Sequence, residues 1–516
     1  MLGGISREAR RNVHRSFGAG LPLTFHRAKS TQDLNKIHTS AKPPSKDDPD
    51  HHPTGQLTVS SNQPGKATVR HVVDALASFQ ESGRKYPKWQ QHLVCILATP
   101  PFASWLEANS GFIPRALRRI FGPSNSVYVD VVCAVVDGLA PRPISMKAPS
   151  GEGFSIWHRP KGPDDSWVQD ATVSSPTLQS TLTLQRGHVT LTLPLANTLF
   201  TNGRGSTLLL SRWKSSGRSF KIDRAQIEKQ NVLLGGLGGK TLYHPIRSCI
   251  PSIPLTPVRR IQDGLGNIVR TIDFGQKGVK NVGPASRELE HSVTEYLAQE
   301  GQGSSTVNVW ALIIPQDTSL AQLVRSMEAK GTLTTGVDVL RTENSFSSLN
   351  KHHYIGELIR RGAILCRVLS GGGGWGAKQG LLSLDPQTTY STSNESRYDY
   401  SEESPDRQQV SALGNLAQEG AFIQFLVAPK TFESLEESDE EYAEFTRRST
   451  VFGVVPSTVD DIPDENQEKT RFDLQVHHGH FGCVSESGLF FRAEEGRSNP
   501  RVVETKIDLP YSYAYI

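Results

Sequence analysis

Two glycine-rich segments carry the strongest chemical signal in the chain. The first, Leu234-Gly235-Gly236-Leu237-Gly238-Gly239-Lys240-Thr241, approaches the phosphate-cradling pattern GxxxxGK[ST]. It departs from that pattern at once, because Leu234 stands where the first glycine is required. Pro245 then arrives too soon for the helix whose N-terminal amides would hold a phosphate. Gly235 and Gly236 are therefore read as a tight turn that lets the backbone approach a neighbour or a ligand. The second segment is Gly371-Gly372-Gly373-Gly374-Trp375-Gly376-Ala377-Lys378. Consecutive glycines can turn several backbone N–H groups toward one anion. Lys378 adds a charge and Trp375 a ring that can stack.

The remaining chemistry-bearing residues are sparse. His477, His478 and His480 sit in a strand-like run, where side chains alternate between faces. His478 and His480 then share one face, and a third metal ligand would have to come from Cys483 or Glu486. Half-exposed strand histidines are the simpler expectation, so no metal set is assigned. The five cysteines, Cys95, Cys133, Cys249, Cys366 and Cys483, form no CxxC pair. They read as buried small hydrophobes of a reducing compartment. No GxSxG, HExxH or paired-carboxylate motif is present, so the catalytic residues are unknown and no cofactor is assigned.

Elements that could position these residues follow from hydropathy patterning. Runs such as HLVCILA (92–98) and VYVDVVCAVVDGL (127–139) are continuously apolar, as strands covered on both faces are. A helix-forming stretch lies between them, which suggests a βαβ unit. Short alternating runs over 153–213 suggest antiparallel strands. Helices are expected over 68–82, 224–230, 286–299, from a cap at Asp317 to Lys330, and over 354–361. Further strands are expected over 306–315, 362–369, 421–429 and in the C-terminal region. The fold class is α/β (mixed α+β), in two lobes with mixed parallel and antiparallel sheets, 67–330 and 331–516.

Composition sets the class. The chain has 516 residues, 36% hydrophobic and 21% charged, with a net charge of +4. No run of 18 apolar residues occurs, so no membrane span is expected. Residues 1–42 hold eight Lys/Arg against Glu8 and Asp33, with Arg7, Arg10, Arg11 and Arg15 spaced to share one side of a helix. That pattern predicts a cleaved mitochondrial transit peptide and a matrix location. Residues 43–66 are rich in Pro, Asp and Ser and predict a disordered linker. Residues 385–465 carry 18 Asp/Glu against five Lys/Arg, and 386–409 predict a disordered acidic insertion.

One arrangement of motifs has a family look. GGLGGKTL (235–242) is followed by a Pro-containing loop, then by PVRRIQDGLGNIVRTID (257–273), then by a helix opening with Pro-Ala at 284–285. This is similar to FIST sensory domains, over about residues 93–297. The resemblance implies an α/β module that senses small ligands such as amino acids, and the last third of the chain departs from it. The Gly371–Lys378 segment also resembles the glycine-rich flap of ATP-grasp enzymes, without the carboxylate pair that would hold magnesium. The expected function is non-catalytic binding of a small-molecule ligand or a protein partner by a soluble mitochondrial protein. The candidate ligand contacts are Gly235, Gly236, Gly371, Gly372, Gly373, Gly374, Trp375 and Lys378. The alternatives are a nucleotide-dependent enzyme using the Gly371–Lys378 loop and a mitochondrial gene-expression factor. Nucleic acid is supported by no motif.

Overall fold

In the computed structural model, the described residues are 37–39, 55–79, 91–123, 127–140, 151–161, 179–186, 188–235, 247–275, 281–299, 307–330, 353–371, 380–390, 416–429, 450–456, 472–495 and 501–515. They form a mixed α/β structure in which parallel and antiparallel strand pairs coexist.

An open sheet of eight strands contains the βαβ unit. Gln91–Ala98 and Tyr128–Val135 lie side by side and parallel, joined through the helix Phe112–Phe121. The strands are continuously apolar over residues 93–98 and 131–135, where both faces are covered. Val94 and Ile96 pack on the helix through Phe112, Leu117 and Ile120. Leu93, Cys95 and Leu97 face Leu182, Leu191 and Val232 of a second, five-stranded sheet. The hairpin Leu208–Ser216 and Ser219–Glu228 extends the large sheet beyond Tyr128–Val135.

The second architectural unit is a barrel. Six strands close on themselves in the order Arg259–Leu265, Ile268–Asp273, Leu382–Leu384, Ile364–Gly371, Val309–Ile314 and Phe422–Val427, every neighbouring pair antiparallel. Closure leaves these strands no free edge. Ile261, Val269, Ala311, Ile313, Ile423 and Phe425 fill the interior. The helix Ala285–Gln299 packs Ala285 and Leu289 into the same cluster. Its Glu288 carboxylate accepts from the Arg259 guanidinium at 2.7 and 2.8 Å, on the first barrel strand.

Several expectations are corrected. Residues 43–66 are not wholly linker: Gly55–Ser61 is a strand between Leu474–His478 and Glu152–Pro160. Leu57 and Val59 are buried there, a short alternation that the surrounding Pro and Asp residues obscure. Residues 224–230 are not a helix, since Arg224 to Glu228 belong to the strand Ser219–Glu228. The helix Ser319–Lys330 is capped by Thr318, whose hydroxyl accepts from the Ala321 amide at 3.1 Å, and not by Asp317. Each of the four larger sheets takes strands from both sides of residue 330, so the hydrogen bonding crosses the expected lobe boundary. Ile37–Thr39, inside the expected transit peptide, pairs in parallel with Leu474–Val476.

Candidate functional site

The second glycine-rich segment connects two barrel strands. Ile364–Gly371 ends at Gly371, which pairs with Leu382 at the start of the next strand. Gly372, Gly373, Gly374, Trp375 and Lys378 lie outside the described residues. The connection re-enters at Gly380, whose φ is +86°. A Cβ there would stand 2.8 Å from Pro284 Cβ, so this position needs glycine on both counts. Pro284 directly precedes the helix Ala285–Gln299, so the connection returns beside that helix's N-terminus.

At the end of the barrel where Gly371 leaves the wall, an open depression of about 400 Å³ is lined by Asn308, Arg367, Leu369 and Ser370 and floored by Val307, Val309 and Val368. The valines belong to, or pack on, the barrel's interior cluster, so the depression is a mouth of the barrel. Barrel mouths are common places for ligands, because closure holds the polar lining on a rigid frame. Arg367 is solvent-exposed and donates to Asn308 Oδ1 at 2.6 Å.

A charged group lies on the barrel's outer wall near Arg367. In the strand register Arg367 lies opposite Trp310. The Trp310 indole donates to Asp508 Oδ1 at 2.7 Å. Lys506 Nζ stands 3.7 Å from Asp385 Oδ2 and 3.8 Å from Asp508 Oδ2, and donates to Gln387 Oε1 at 3.1 Å. The Asp385 amide donates to the Arg367 carbonyl at 2.8 Å. Burial raises the Asp508 carboxyl above its ordinary range, against the pull of Lys506 and Trp310. The wall therefore carries two carboxylates bridged by one lysine, while Arg367 points its charge to solvent. The chemistry this offers is capture of an anion by guanidinium, amide and hydroxyl donors.

The first glycine-rich segment sits elsewhere. Gly235 ends the strand Asn231–Gly235 of the five-stranded sheet. Its carbonyl accepts from Arg159 Nη2 at 2.8 Å. A Cβ on Gly235 would meet no atom within 4 Å, so no close approach demands glycine there. Gly236 lies outside the described residues. Among the described residues, Gly235 and Gly371 are thus not brought into one site.

No family model, curated protein or solved structure matches the chain. The site is read from its own geometry. His480 is buried, with Nδ1 2.9 Å from the Thr58 hydroxyl, while His477 and His478 are half-buried on the preceding strand. Among the described residues, no group of three or more His, Cys, Asp or Glu side chains is placed to hold a metal ion. All five cysteines are buried free thiols. Burial pushes all five thiols up, Cys249 to about 12, so they stay protonated at neutral pH.

Sequence reasoning missed Arg367, Asn308, Lys506 and Asp508. One signal was available: Arg367 interrupts the otherwise apolar run ILCRVL. Asp508 and Trp310 are 198 residues apart, and nothing local marks either as a partner of the other.

Proposed function

We propose that the chain is a non-catalytic binding protein that takes a small anionic ligand at the barrel mouth. The observation that carries this reading is the open depression in which Arg367, Asn308 and Ser370 converge where the glycine-rich connection leaves the barrel wall. In this proposal Gly371, Gly372, Gly373, Gly374, Trp375 and Lys378 are the candidate ligand contacts, and the sensory role implied by the FIST resemblance applies. The protein acts in the mitochondrial matrix, with import directed by its basic N-terminus. The second reading, a nucleotide-dependent enzyme, is favoured by the return of the connection at Gly380 beside the N-terminus of the helix Ala285–Gln299.

A thermal-shift series with inorganic phosphate, glutamate and ATP tests both readings. A ligand that binds only the native state stabilises it by about 2.7 kcal/mol at a hundredfold excess over Kd. Stabilisation by glutamate or phosphate that disappears in Arg367→Gln supports the first reading. Stabilisation by ATP alone, accompanied by ATP turnover, supports the second. No shift with any of the three contradicts both.

A further inference from the structure

On the open sheet, far along the strands from its apolar centre, strand register gathers cations on one face. One row of paired positions runs Arg159, Leu93, Asp130, Arg212, Arg224 across five strands. The adjoining row runs Gln91, Tyr128, Lys214, Lys221. Paired residues in a sheet project to the same face, and positions two apart along a strand do so too. Lys161, just past the strand Glu152–Pro160, reaches the same face, with Nζ 2.9 Å from Asp130 Oδ2.

The pairing within these rows is unusual. Arg212 lies opposite Arg224, and Lys214 lies opposite Lys221. Like charges directly across a strand pair are destabilising. Here two such pairs lie on either side of a register shift between Arg212 and Trp213. Asp130 relieves only part of this: it accepts from Arg212 Nε at 2.5 Å and Nη2 at 3.0 Å, as well as from Lys161. Those bonds hold the Asp130 carboxyl below its ordinary range, against burial that would raise it. Asp223 is the other carboxylate within reach. Arg159 is buried and donates to the Gly235 carbonyl, so the face presents five cations, Lys161, Arg212, Lys214, Lys221 and Arg224, against Asp130 and Asp223. Lys214, Lys221, Arg224 and Gln91 are solvent-exposed. Lys214 opposite Lys221 adds nothing to holding the hairpin together, and an anionic partner would relieve the repulsion.

We infer that this face binds single-stranded nucleic acid. Charge selects a polyanion, and the groups among the cations select the kind. Tyr128 is half-buried in the middle of its row, with Lys214 Nζ 5.1 Å from its ring centre and bonded to its hydroxyl. Gln91 beside it offers both a donor and an acceptor. Sheets that bind single strands combine such a platform for unstacked bases with cations that follow the phosphates. A base stacked on Tyr128 takes the place Lys214 occupies, and releases Lys214 to a phosphate. Lipid headgroups would use the charge but not the ring or the amide. This surface is separate from the barrel mouth and independent of the small-ligand reading.

The test uses the full chain and a fluorescein-labelled twelve-nucleotide oligouridylate, read by fluorescence anisotropy from 50 to 300 mM KCl. Three released counterion contacts predict a slope of log K against log salt of about −2. The triple variant Lys214→Gln, Lys221→Gln, Arg224→Gln should bind at least roughly tenfold more weakly at 50 mM KCl, with a slope near zero. It should melt no lower than the parent, because both like-charge pairs are gone. Tyr128→Leu should weaken binding by roughly tenfold while leaving the slope in place. Arg492→Gln, on the five-stranded sheet, should bind like the parent. The inference is overturned if the parent does not bind the oligonucleotide at 50 mM KCl, or if the triple variant binds it as the parent does. It is equally overturned if only vesicles containing 30% phosphatidylserine retain the parent and lose the triple variant.

Discussion

The barrel and the open sheet use charge in opposite ways. Around the barrel, Arg259 meets Glu288 of the packed helix, and Lys506 of the five-stranded sheet lies between Asp385 and Asp508, so each of these charges has an opposite within 4 Å. On the outer hairpin of the open sheet, arginine faces arginine and lysine faces lysine. The barrel's pairs are largely sheltered, Arg259 and Glu288 being 15% and 12% exposed, so their mutual attraction is weakly screened. Lys214, Lys221 and Arg224 of the sheet stand in solvent, where repulsion costs little and an incoming anion gains much. Charges that hold a fold together are arranged in opposites. Charges turned to a partner can be alike.

The comparison can be broken most forcefully through the cores. Phe425→Ala, inside the barrel, and Phe154→Ala, against the helical side of the sheet, remove side chains with no more than 1% exposure. Each should destabilise the protein by roughly 3–5 kcal/mol in urea unfolding. Equal losses would show that the two units differ in charge and not in packing.

The next contrast is in pH dependence, and it lies wholly within the open sheet. Burial lowers His92 to about 4, with His158 Nε2 3.2 Å from its Nδ1. The unfolded chain binds that proton near pH 6.5 and the native state only near 4. This contribution is therefore complete above 6.5 and is lost as pH falls toward 4, about 3 kcal/mol in all. Asp137 runs the other way. Burial, with Glu486 nearby, raises it from 3.8 to about 6. Its contribution is present below 3.8 and is lost as pH rises through 6, again about 3 kcal/mol. The two cancel across most of the window, so the parent's stability should change little between pH 4 and 6.5 on their account. His92→Gln should leave a stability that falls as pH rises, and Asp137→Asn one that rises. Chemical denaturation at pH 4.5 and 6.5 distinguishes these slopes, and identical slopes in both variants would contradict the assignment.

The ion pairs give a smaller contrast. Glu288→Gln strands a sheltered guanidinium and should cost about 2 kcal/mol. The double variant Lys214→Gln, Lys221→Gln should stay within about 0.5 kcal/mol of the parent, or gain stability. A loss on the sheet as large as that in the barrel would mean that the like-charge rows serve the fold.

How much of this was legible in the sequence follows from the same distinction between local and distant information. The βαβ unit was readable because HLVCILA and VYVDVVCAVVDGL are apolar on both faces, and that property is local. The barrel was not, because its closure depends on Phe422–Val427 pairing with both Arg259–Leu265 and Val309–Ile314, which no local pattern encodes. The strand Ser219–Glu228 was taken for a helix at its end because two register shifts against Leu208–Ser216 break its alternation. The two glycine segments look alike in sequence, and their described ends, Gly235 and Gly380, differ in backbone and surroundings. Gly380→Ala at the edge of the second should cost about 1–3 kcal/mol through its φ of +86° and the approach to Pro284. Gly235→Ala should be neutral or mildly stabilising, since nothing crowds it. Thermal melts of the two variants compare these directly. Of the site itself, the sequence pointed to Gly371 but not to Arg367, whose role comes from the distant Asn308, Trp310 and Asp508.

Hydrogen exchange of the full chain with and without saturating inorganic phosphate or glutamate is the most direct measurement of ligand capture at the barrel mouth. The account predicts that one of these anions slows exchange in Val307–Val309 and Val368–Gly371, leaves Gly235 unchanged, and loses its effect in Arg367→Gln. Unchanged exchange at the mouth with both anions, or slowing there that survives Arg367→Gln, would contradict it.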